Sequence, residues 1–274
     1  MTLSLTGLDG KVALITGAGR MRSIGRGIAQ ALATAGCDIV ITGSGRSPDD
    51  YPDEEKAAGW RDIESVAEEV RAMGQRALPV VSNVADIDAV AQLADHVIAE
   101  MGRVDFIINN AGAARAGDRA PVVDVSADVW RNVIDVNLNG TFYMSQVFGR
   151  KLLEQGEGGA IINISSIGGK LMAPTTAAYA ASKAAIHALT CAMSGEVGPA
   201  GIRVNAICPG IVMTSRLDDL SAEQWDGIID SYIPLKRAGD PADIGNMVAY
   251  LCSEQGSWVN GQLYSVDGGQ LAGR

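Results

Sequence analysis

The chain has 274 residues, 47% of them hydrophobic, and a formal net charge of −10. This length and apolar content suffice for one sizeable core, so we expect a single domain over residues 1–274. The acidic balance excludes binding to a phosphate backbone as a main task, because nucleic-acid-binding proteins need a basic surface, and no nucleic-acid partner is expected.

Four cysteines occur at wide spacing without a Cys-x-x-Cys pair, so the sequence predicts neither a metal site nor a disulfide framework. Such cysteines are typical apolar fillers in a reducing compartment. No apolar run is long enough for a signal peptide or a membrane span, so we expect a cytoplasmic protein without a membrane partner. The cysteines are Cys37, Cys191, Cys208 and Cys252.

The first predicted strand, residues 12–16, leads into a glycine-containing turn and then an alanine-rich helix. This is the context that a dinucleotide fingerprint requires, because glycine lets the backbone approach a pyrophosphate and the helix N-terminus offers it N–H groups. Taken alone, such a turn also fits a simple reversal of the chain. The candidate phosphate-binding residues are Gly17, Gly19, Arg20, Ser23, Ile24 and Gly25.

Six more β-rich runs follow and alternate with helical stretches, of which 63–73 and 89–101 are amphipathic. The alternation predicts an α/β fold of the Rossmann type, a doubly wound parallel sheet of about seven strands with helices on both faces. The six runs are 38–42, 77–81, 105–109, 160–165, 203–208 and 262–266.

Tyr179 and Lys183 stand four residues apart in a helical segment, and Ser166 follows the fifth predicted strand. Residues at this spacing share one face of a helix, so the Lys183 ammonium can favour the ionised form of the Tyr179 phenol. A tyrosine with a pKa of about 10 needs such a cation to act as an acid or base at neutral pH. The pair alone also fits an amphipathic helix without chemistry.

Further motifs follow the later strands: Asn109-Asn110-Ala111-Gly112, then Asn137 in Val-Asn-Leu-Asn-Gly, then Pro209-Gly210. With the glycine turn and the Tyr-x-x-x-Lys pair in this order, the chain resembles the short-chain dehydrogenase/reductase family over nearly its whole length. Five ordered motifs are far more specific than any one of them.

The resemblance implies a hydride transfer between a nicotinamide cofactor and a carbonyl or secondary alcohol. Tyr179 would exchange the proton, Lys183 would lower its pKa and hold the nicotinamide ribose, and Ser166 would orient the carbonyl. Asn137 would anchor a water that passes protons to Lys183. The cofactor residues implied beyond the glycine turn are Asn83, Val84, Asn110, Ala111, Gly112, Tyr179, Lys183, Pro209, Gly210, Ile211, Val212 and Thr214.

The chain departs from the family pattern at two places near the cofactor. The glycine turn has two extra residues, and Ser23 stands where the middle glycine is expected. Asn83 occupies a position that is often aspartate, and we expect adenine binding to survive this change. The departures leave the geometry of the pyrophosphate contact open.

Residues 44–60 are rich in turn formers and charge, and they predict an extended loop after the second strand. In the family, an acidic residue at the end of that strand usually binds the adenosine ribose hydroxyls of NAD. Here this position holds Gly43, and Ser44, Gly45 and Arg46 follow it.

Arg46 and Arg20 therefore favour NADP(H) over NAD(H), because a guanidinium binds the extra phosphate of NADP with a planar fork of donors. Asp49 and Asp50 leave NAD open, because they could supply the missing carboxylate if the loop folds back.

Residues 213–238 resemble the mobile substrate lid of the family and contain Leu217, Leu220 and Trp225. The apolar character of this segment favours an apolar ketone or a 3-oxoacyl compound as the small-molecule substrate. Met172 and Ala173 are expected to form pocket walls that add no charged anchor. The predicted pocket residues are Ser166, Met172, Tyr179, Leu217 and Trp225.

The sequence is also compatible with two other functions. One is an NAD-dependent secondary-alcohol dehydrogenase of catabolism. The other is a non-catalytic scaffold that senses dinucleotides, which would be expected to have lost Tyr179 or Lys183. The resemblance also implies a homo-oligomer, a tetramer or a dimer, with the tail from Trp258 near a subunit contact.

Overall fold

Seven parallel strands form one sheet in the order β3-β2-β1-β4-β5-β6-β7, within the residues that a computed structural model describes, 4–115, 117–218 and 221–272. The predicted strand ends differ from the observed ones by no more than one residue, which confirms the predicted α/β class. The strands are β1 Val12–Ile15, β2 Asp38–Gly43, β3 Ala77–Val81, β4 Phe106–Asn109, β5 Gly159–Ile164, β6 Ile202–Pro209 and β7 Leu263–Val266.

Helices connect the strands, and a π-helix, Asp135–Asn139, joins two of them. Two short elements lie in the predicted loop 44–60, the 3-10 helix Pro48–Asp50 and the α-helix Asp53–Ala57, so that segment is partly helical rather than an extended loop. The α-helices are α1 Ile24–Thr34, α2 Asp53–Ala57, α3 Ile63–Ala72, α4 Ile87–Met101, α5 Ala127–Ile134, α6 Gly140–Gln155, α7 Gly168–Leu171, α8 Ala177–Val197, α9 Ala222–Tyr232 and α10 Pro241–Cys252.

Helices cover both faces of the sheet, because alternate residues of each strand point to opposite sides. Ala13 and Ile15 of β1 belong to a core shared with α1, α3 and α10, whereas Val12 and Leu14 belong to a core shared with α4 and α6. All four side chains are at most 2% exposed. Strands that are buried on both faces have continuous apolar sequences, as β1 has.

The strand order reverses between β1 and β4, because β1 lies between β2 and β4 in the sheet. In open α/β sheets, ligands bind at the carboxyl ends of the strands beside such a reversal. None of the helices in the described part of the chain is long and apolar enough to cross a membrane.

The lengthened glycine turn packs against the segment that follows β2. Glu55 is completely buried; one carboxylate oxygen accepts a hydrogen bond from Met21 N at 2.8 Å and the other from Arg46 Nη2 at 3.1 Å. Trp60 donates its indole N–H to the carbonyl oxygen of Gly19 at 2.7 Å. The lengthened glycine turn and the segment 44–60 therefore stabilise each other.

Candidate active site

A continuous cleft runs along the carboxyl ends of the strands. It consists of three adjoining cavities, of about 410, 430 and 410 Å³. Gly17, Arg20 and Gly112 line both the first and the second, and Tyr179, Thr214 and Arg216 line both the second and the third. We call them the adenosine-side, central and substrate-side cavities.

Helix α8 places Tyr179 and Lys183 on the same side of this cleft. Lys183 is 5% exposed, its Nζ lies 5.9 Å from the centroid of the Tyr179 ring, and it donates a hydrogen bond to the carbonyl oxygen of Ile164 at 2.8 Å. Ser166 follows β5, and its Oγ accepts a hydrogen bond from Gly168 N at 2.9 Å. The structure thus brings the three predicted residues together at the end of β5.

The pKa of Tyr179 lies below its ordinary value. Burial raises it, but the charges of Lys183 and Arg216, a hydrogen bond with Ser166 and the charge of Arg119 together lower it by more. Burial and the charge of Arg216 lower the pKa of Lys183 despite the neighbouring phenol. The phenol is therefore equipped to give up and take back a proton closer to neutral pH than a free tyrosine.

Asn137 lies in the π-helix and is 1% exposed. Its Oδ1 accepts a hydrogen bond from Ala113 N at 2.8 Å, and its Nδ2 donates to Ser182 Oγ at 3.0 Å. Short π-helical turns are frequent at functional sites. Here the amide of Asn137 connects the segment after β4 to α8, the helix that carries Tyr179 and Lys183.

The start of α1 forms the wall of the central cavity. Ser23 has an extended backbone conformation and caps the helix, with its Oγ accepting from Arg26 N at 3.1 Å. Gly17 has a φ of +65°, and a Cβ at that position would lie 2.8 Å from Ala111 Cα. The serine in place of the expected glycine therefore supports the helix N-terminus, and Gly17 allows two turns to approach closely.

Most of the predicted cofactor residues line the cleft. Gly25 and Gly45 do not: Gly25 packs behind the wall against Ala18, and Gly45 packs against Val81. The residues that line it are Gly17, Gly19, Arg20, Ser23, Ile24, Ser44, Arg46, Asn83, Val84, Asn110, Ala111, Gly112, Tyr179, Lys183, Pro209, Gly210, Ile211, Val212 and Thr214.

A carboxylate that the sequence analysis missed, Asp62, lines the adenosine-side cavity together with Arg20 and Arg46. The residue is 7% exposed, and its Oδ1 accepts a hydrogen bond from Arg46 Nη2 at 3.0 Å. Asp49 and Asp50 are exposed and do not line this cavity. Asp62 reaches the end of β2 only because the segment between them folds back, which no local spacing signals.

The adenosine-side cavity has the polar groups that a nucleotide needs. Thr42 Oγ1, Ser82 Oγ and Arg46 Nη1 are buried and have no hydrogen-bond partner among the described residues. All three residues line this cavity. Because buried polar groups are nearly always paired, these atoms indicate a polar ligand, and they fit the adenosine half of a nicotinamide dinucleotide.

The substrate-side cavity is lined by Ser166 and Tyr179 and by Leu217 and Trp225 of the predicted lid. Trp225 donates its indole N–H to the carbonyl oxygen of Leu217 at 2.7 Å, which closes this part of the segment on itself. Met172, predicted to line the same pocket, is 63% exposed and borders a neighbouring apolar groove instead. Leu220 lies outside the described residues.

Arginines that the sequence analysis missed also line the substrate side. The guanidinium carbon of Arg119 lies 4.5 Å from the centroid of the Tyr179 ring, and that of Arg216 lies 5.3 Å from it. Arg115 lines the same cavity. The expectation of a pocket without a charged anchor is therefore wrong, since segments following β4 and β6 bring cations to the tyrosine. No group of three or more side chains suited to a metal ion occurs among the described residues.

Comparisons with known proteins agree with this geometry. Residues 17–270 match the sequence profile of a family described as enoyl-(acyl carrier protein) reductase. The 2-dehydro-3-deoxy-D-gluconate 5-dehydrogenase of Dickeya dadantii (strain 3937) is 36% identical over 277 residues, covering 99% of this chain and 100% of that protein. A 3-oxoacyl-[acyl-carrier-protein] reductase of Staphylococcus aureus (strain Mu50) is 37% identical over 259 residues, covering 94% of this chain and 97% of that protein.

The fold is also that of a solved dehydrogenase. The structure of a 7α-hydroxysteroid dehydrogenase, in complex with NADH and 7-oxo glycochenodeoxycholic acid, is 32% identical in sequence with a TM-score of 0.83, covering 96% of this chain and 94% of that one. The sequence identity extends over whole chains, and the fold matches from end to end. The chain therefore belongs to the short-chain dehydrogenase/reductase family and is an oxidoreductase that acts on CH–OH or C=O groups.

Proposed function

We propose that this protein transfers a hydride between NAD(H) and the carbon of a secondary alcohol or ketone, while Tyr179 exchanges the proton at the oxygen. The observation that carries the proposal is the position of Tyr179 in the cleft, between Lys183 and Ser166 and with a lowered pKa. A general acid or base is most effective when its pKa approaches the working pH.

The residues around Tyr179 have separate roles in the proposed reaction. The bound nicotinamide supplies the hydride chemistry, and the protein aligns the reacting groups. Lys183 keeps a positive charge beside the phenol, and the Ser166 hydroxyl orients the substrate oxygen. Asn137 ties α8 to the segment after β4, so it positions the helix that carries the proton-exchanging pair.

We infer NAD(H) as the cofactor rather than the NADP(H) that Arg20 and Arg46 suggest from the sequence. Arg46 is paired with both Glu55 and Asp62, at 3.1 and 3.0 Å, so its charge is already balanced by protein carboxylates. A carboxylate in the adenosine-side cavity accepts hydrogen bonds from a ribose diol and repels a phosphate. The solved 7α-hydroxysteroid dehydrogenase, which holds NADH, supports the same choice.

Two substrate classes have support. The 3-oxoacyl reductase among the relatives and the apolar side chains of Leu217 and Trp225 favour an apolar ketone or 3-oxoacyl compound. The sugar-acid dehydrogenase among the relatives and the arginines at Tyr179 favour a polar secondary alcohol oxidised in catabolism. Because Arg119 and Arg216 lie over the Tyr179 ring, we favour the polar secondary alcohol.

The test is a panel of ketones, 3-oxoacyl thioesters and secondary alcohols assayed with NADH, NADPH and their oxidised forms. We expect Tyr179→Phe to lower turnover about 10³-fold, within the range of general acid–base catalysis, while the Kd for NADH changes less than about threefold. Tyr250→Phe, at a tyrosine 37% exposed on α10, is the matched control.

Retention of more than a tenth of the turnover in Tyr179→Phe would overturn the role of the phenol. If the protein binds NADH but turns over no member of the panel, a dinucleotide-sensing scaffold becomes the better description. A lower Kd for NADPH than for NADH would reverse our choice of cofactor.

We also propose that the protein is a cytoplasmic homo-oligomer, a dimer or a tetramer. Trp258 precedes β7 and is 98% exposed, which suits a subunit contact better than open solvent. The four cysteines are free thiols, a state that a reducing compartment maintains. Light scattering after gel filtration would test the assembly, and a monomer at micromolar concentration would contradict it.

A further inference from the structure

The cleft is strongly basic although the chain as a whole is acidic. The central and substrate-side cavities are lined by Lys183 and five arginines and, within the described ranges, by no aspartate or glutamate. The formal net charge of the chain is −10, so this concentration of cations does not follow from composition. The arginines are Arg20, Arg22, Arg115, Arg119 and Arg216.

These arginines differ in position and in their partners. Arg20 and Arg22 belong to the glycine turn, and Arg22 pairs with Glu54 and Asp218, both at 2.7 Å. Arg115 and Arg216 line both cavities, and Arg216 donates to the carbonyl oxygen of Ala113 at 2.9 Å. Arg20 and Arg22 line the central cavity beside the start of α1, where a helix N-terminus would favour the phosphates of a dinucleotide.

Arg119 is different because it lines only the substrate-side cavity. Its guanidinium stacks over the Tyr179 ring, with 4.5 Å between the guanidinium carbon and the ring centroid. Its Nε is buried and makes no hydrogen bond within the described chain; Asp118 Oδ2 lies 3.7 Å away. Arg119 therefore holds a positive charge against the reacting side chain rather than against the nucleotide.

We propose that the substrate carries a carboxylate, and that Arg119, assisted by Arg115, binds it beside the reacting carbon. The proposal rests on the proposed function, since it assigns the substrate of that site: a hydroxy acid on the alcohol side and an oxo acid on the ketone side. Oxidation removes a hydride from the alcohol carbon to the oxidised cofactor and the hydroxyl proton to Tyr179, and the carboxylate is unchanged.

The chemistry of the cavity suits a carboxylate better than a neutral group. A guanidinium offers a planar fork of N–H donors, which matches the two oxygens of a carboxylate. Burial of Arg119 and repulsion from Arg115 and Arg216 lower its pKa, against the attraction of Asp118 and Tyr179, so a bound anion would relieve an unfavourable assembly of cations.

One further group suggests that the substrate is also polar at another position. Gln270 lines the substrate-side cavity, and its buried Oε1 has no hydrogen-bond partner among residues with a described structure. A buried amide oxygen of this kind can accept from a substrate hydroxyl. The cavity thus combines a cation for a carboxylate with an acceptor for a hydroxyl.

The experiment compares oxo acids of four to eight carbons with their methyl esters, using wild-type enzyme and NADH. We expect kcat/KM to be about 10- to 100-fold higher for the acids, the range for hydrogen bonds to a charged group. In Arg119→Met the ratio of kcat/KM for an acid to kcat/KM for its ester should fall to about 1, mainly because KM for the acid rises. Arg119→Lys should keep part of the preference for the acid because the positive charge is retained.

Arg131→Met is the matched control, because Arg131 on α5 is 67% exposed and pairs only with Asp128 among described contacts. It should keep the full preference for the acids. The Kd for NADH is measured in parallel, and we expect it to change less than about threefold in Arg119→Met. If Arg119→Met weakened NADH binding as much as it lowered turnover of the oxo acids, Arg119 would bind the cofactor rather than the substrate, and the proposal would be overturned.

A second readout does not depend on turnover. Binding of the oxo acids and of their esters to the enzyme–NADH complex is followed by quenching of the nicotinamide fluorescence. Equal affinity for acid and ester would overturn the carboxylate site while leaving the hydride transfer intact. Failure of the proposed function would give a different result, because then no ketone or alcohol of the panel, whether charged or neutral, would be turned over.

Discussion

Gly19 and Asp62 are so close that a Cβ on residue 19 would lie 1.7 Å from Oδ1 of Asp62. The carboxylate therefore lies directly over the backbone of the glycine turn. Asp62 adopts a φ of +53°, a region that favours glycine, and this strain persists because Arg46 and the surrounding segment hold the side chain. The position of the carboxylate depends on a residue without a side chain.

Gly19→Ala should displace Asp62 and the turn, because the added methyl group has no space. We expect the Kd for NADH to rise at least about tenfold and the free energy of unfolding to fall by about 1–3 kcal/mol, as for overpacked positions. Calorimetric titration and urea unfolding measure the two effects.

Gly195→Ala is the control for that substitution. Gly195 lies within α8, and a Cβ there would meet nothing within 4 Å. Alanine should raise the free energy of unfolding by about 0.5–1 kcal/mol and leave NADH binding unchanged. Equal behaviour of the two variants would show that the turn tolerates a side chain.

Asp62→Asn should change the choice of cofactor. The amide keeps the shape of the side chain but removes the charge that repels a phosphate, so we expect the ratio of the Kd values for NADPH and NADH to fall about tenfold or more. Asp49→Asn, on the same segment but exposed, should leave the ratio unchanged. An unchanged ratio in Asp62→Asn would show that the carboxylate does not face the ribose.

Lys183→Met should shift the pH dependence of alcohol oxidation to higher pH. In the mechanism proposed above, oxidation needs the Tyr179 phenolate as base, so its rate should rise as the pH approaches the pKa of the phenol. Loss of the Lys183 charge removes a main cause of the lowered pKa, and we expect the rising limb to move up by about 1–3 pH units.

Lys151→Met, on α6, should leave this limb in place and serves as the control. The profile is measured as kcat/KM with saturating NAD between pH 6 and about 10, a window chosen around the ordinary pKa of tyrosine. An unmoved limb in Lys183→Met would mean that another group carries the titration.

His187 should make the protein less stable below neutral pH. Burial, with the charges of Lys170 and Lys183, lowers the pKa of His187 from 6.5 to about 4, and its Nε2 lies 2.8 Å from Ser165 Oγ and 3.3 Å from Cys208 Sγ. In the unfolded chain, His187 is protonated below about pH 6.5, whereas in the native state it stays neutral down to about pH 4. The free energy of unfolding therefore falls as the pH drops from about 6.5 toward 4.

The size of this effect is about 2–3 kcal/mol between the two pKa values. Urea unfolding at pH 7 and pH 5 should show a smaller loss for His187→Gln than for wild type. The chain contains two histidines, and His96, which is exposed, provides the control. His96→Gln should lose as much stability as wild type, and a loss of the same size in His187→Gln would contradict the assignment.

The sequence predicted the sheet well because its signals are local. Each strand is a short β-rich run bounded by turn formers, and the alternation of runs with helices implies parallel pairing. The Tyr179 and Lys183 pair was predictable for the same reason, since the helical repeat alone places residues four apart on one face. Ser166 could be added because parallel strands carry their functional groups at a common edge.

The adenosine side and the substrate side depended on contacts that sequence spacing does not encode. Asp62 returns to the end of β2 because the completely buried Glu55 holds the intervening segment to the glycine turn. Arg119 and Arg216 meet over Tyr179 although they come from segments that follow different strands. The sequence by itself determined the fold, the family and the placement of Tyr179 and Lys183 on one face of a helix, because these follow from local periodicity and ordered motifs. Only the tertiary structure decided which charges line the adenosine-side and substrate-side cavities, because long-range packing determines which loops meet.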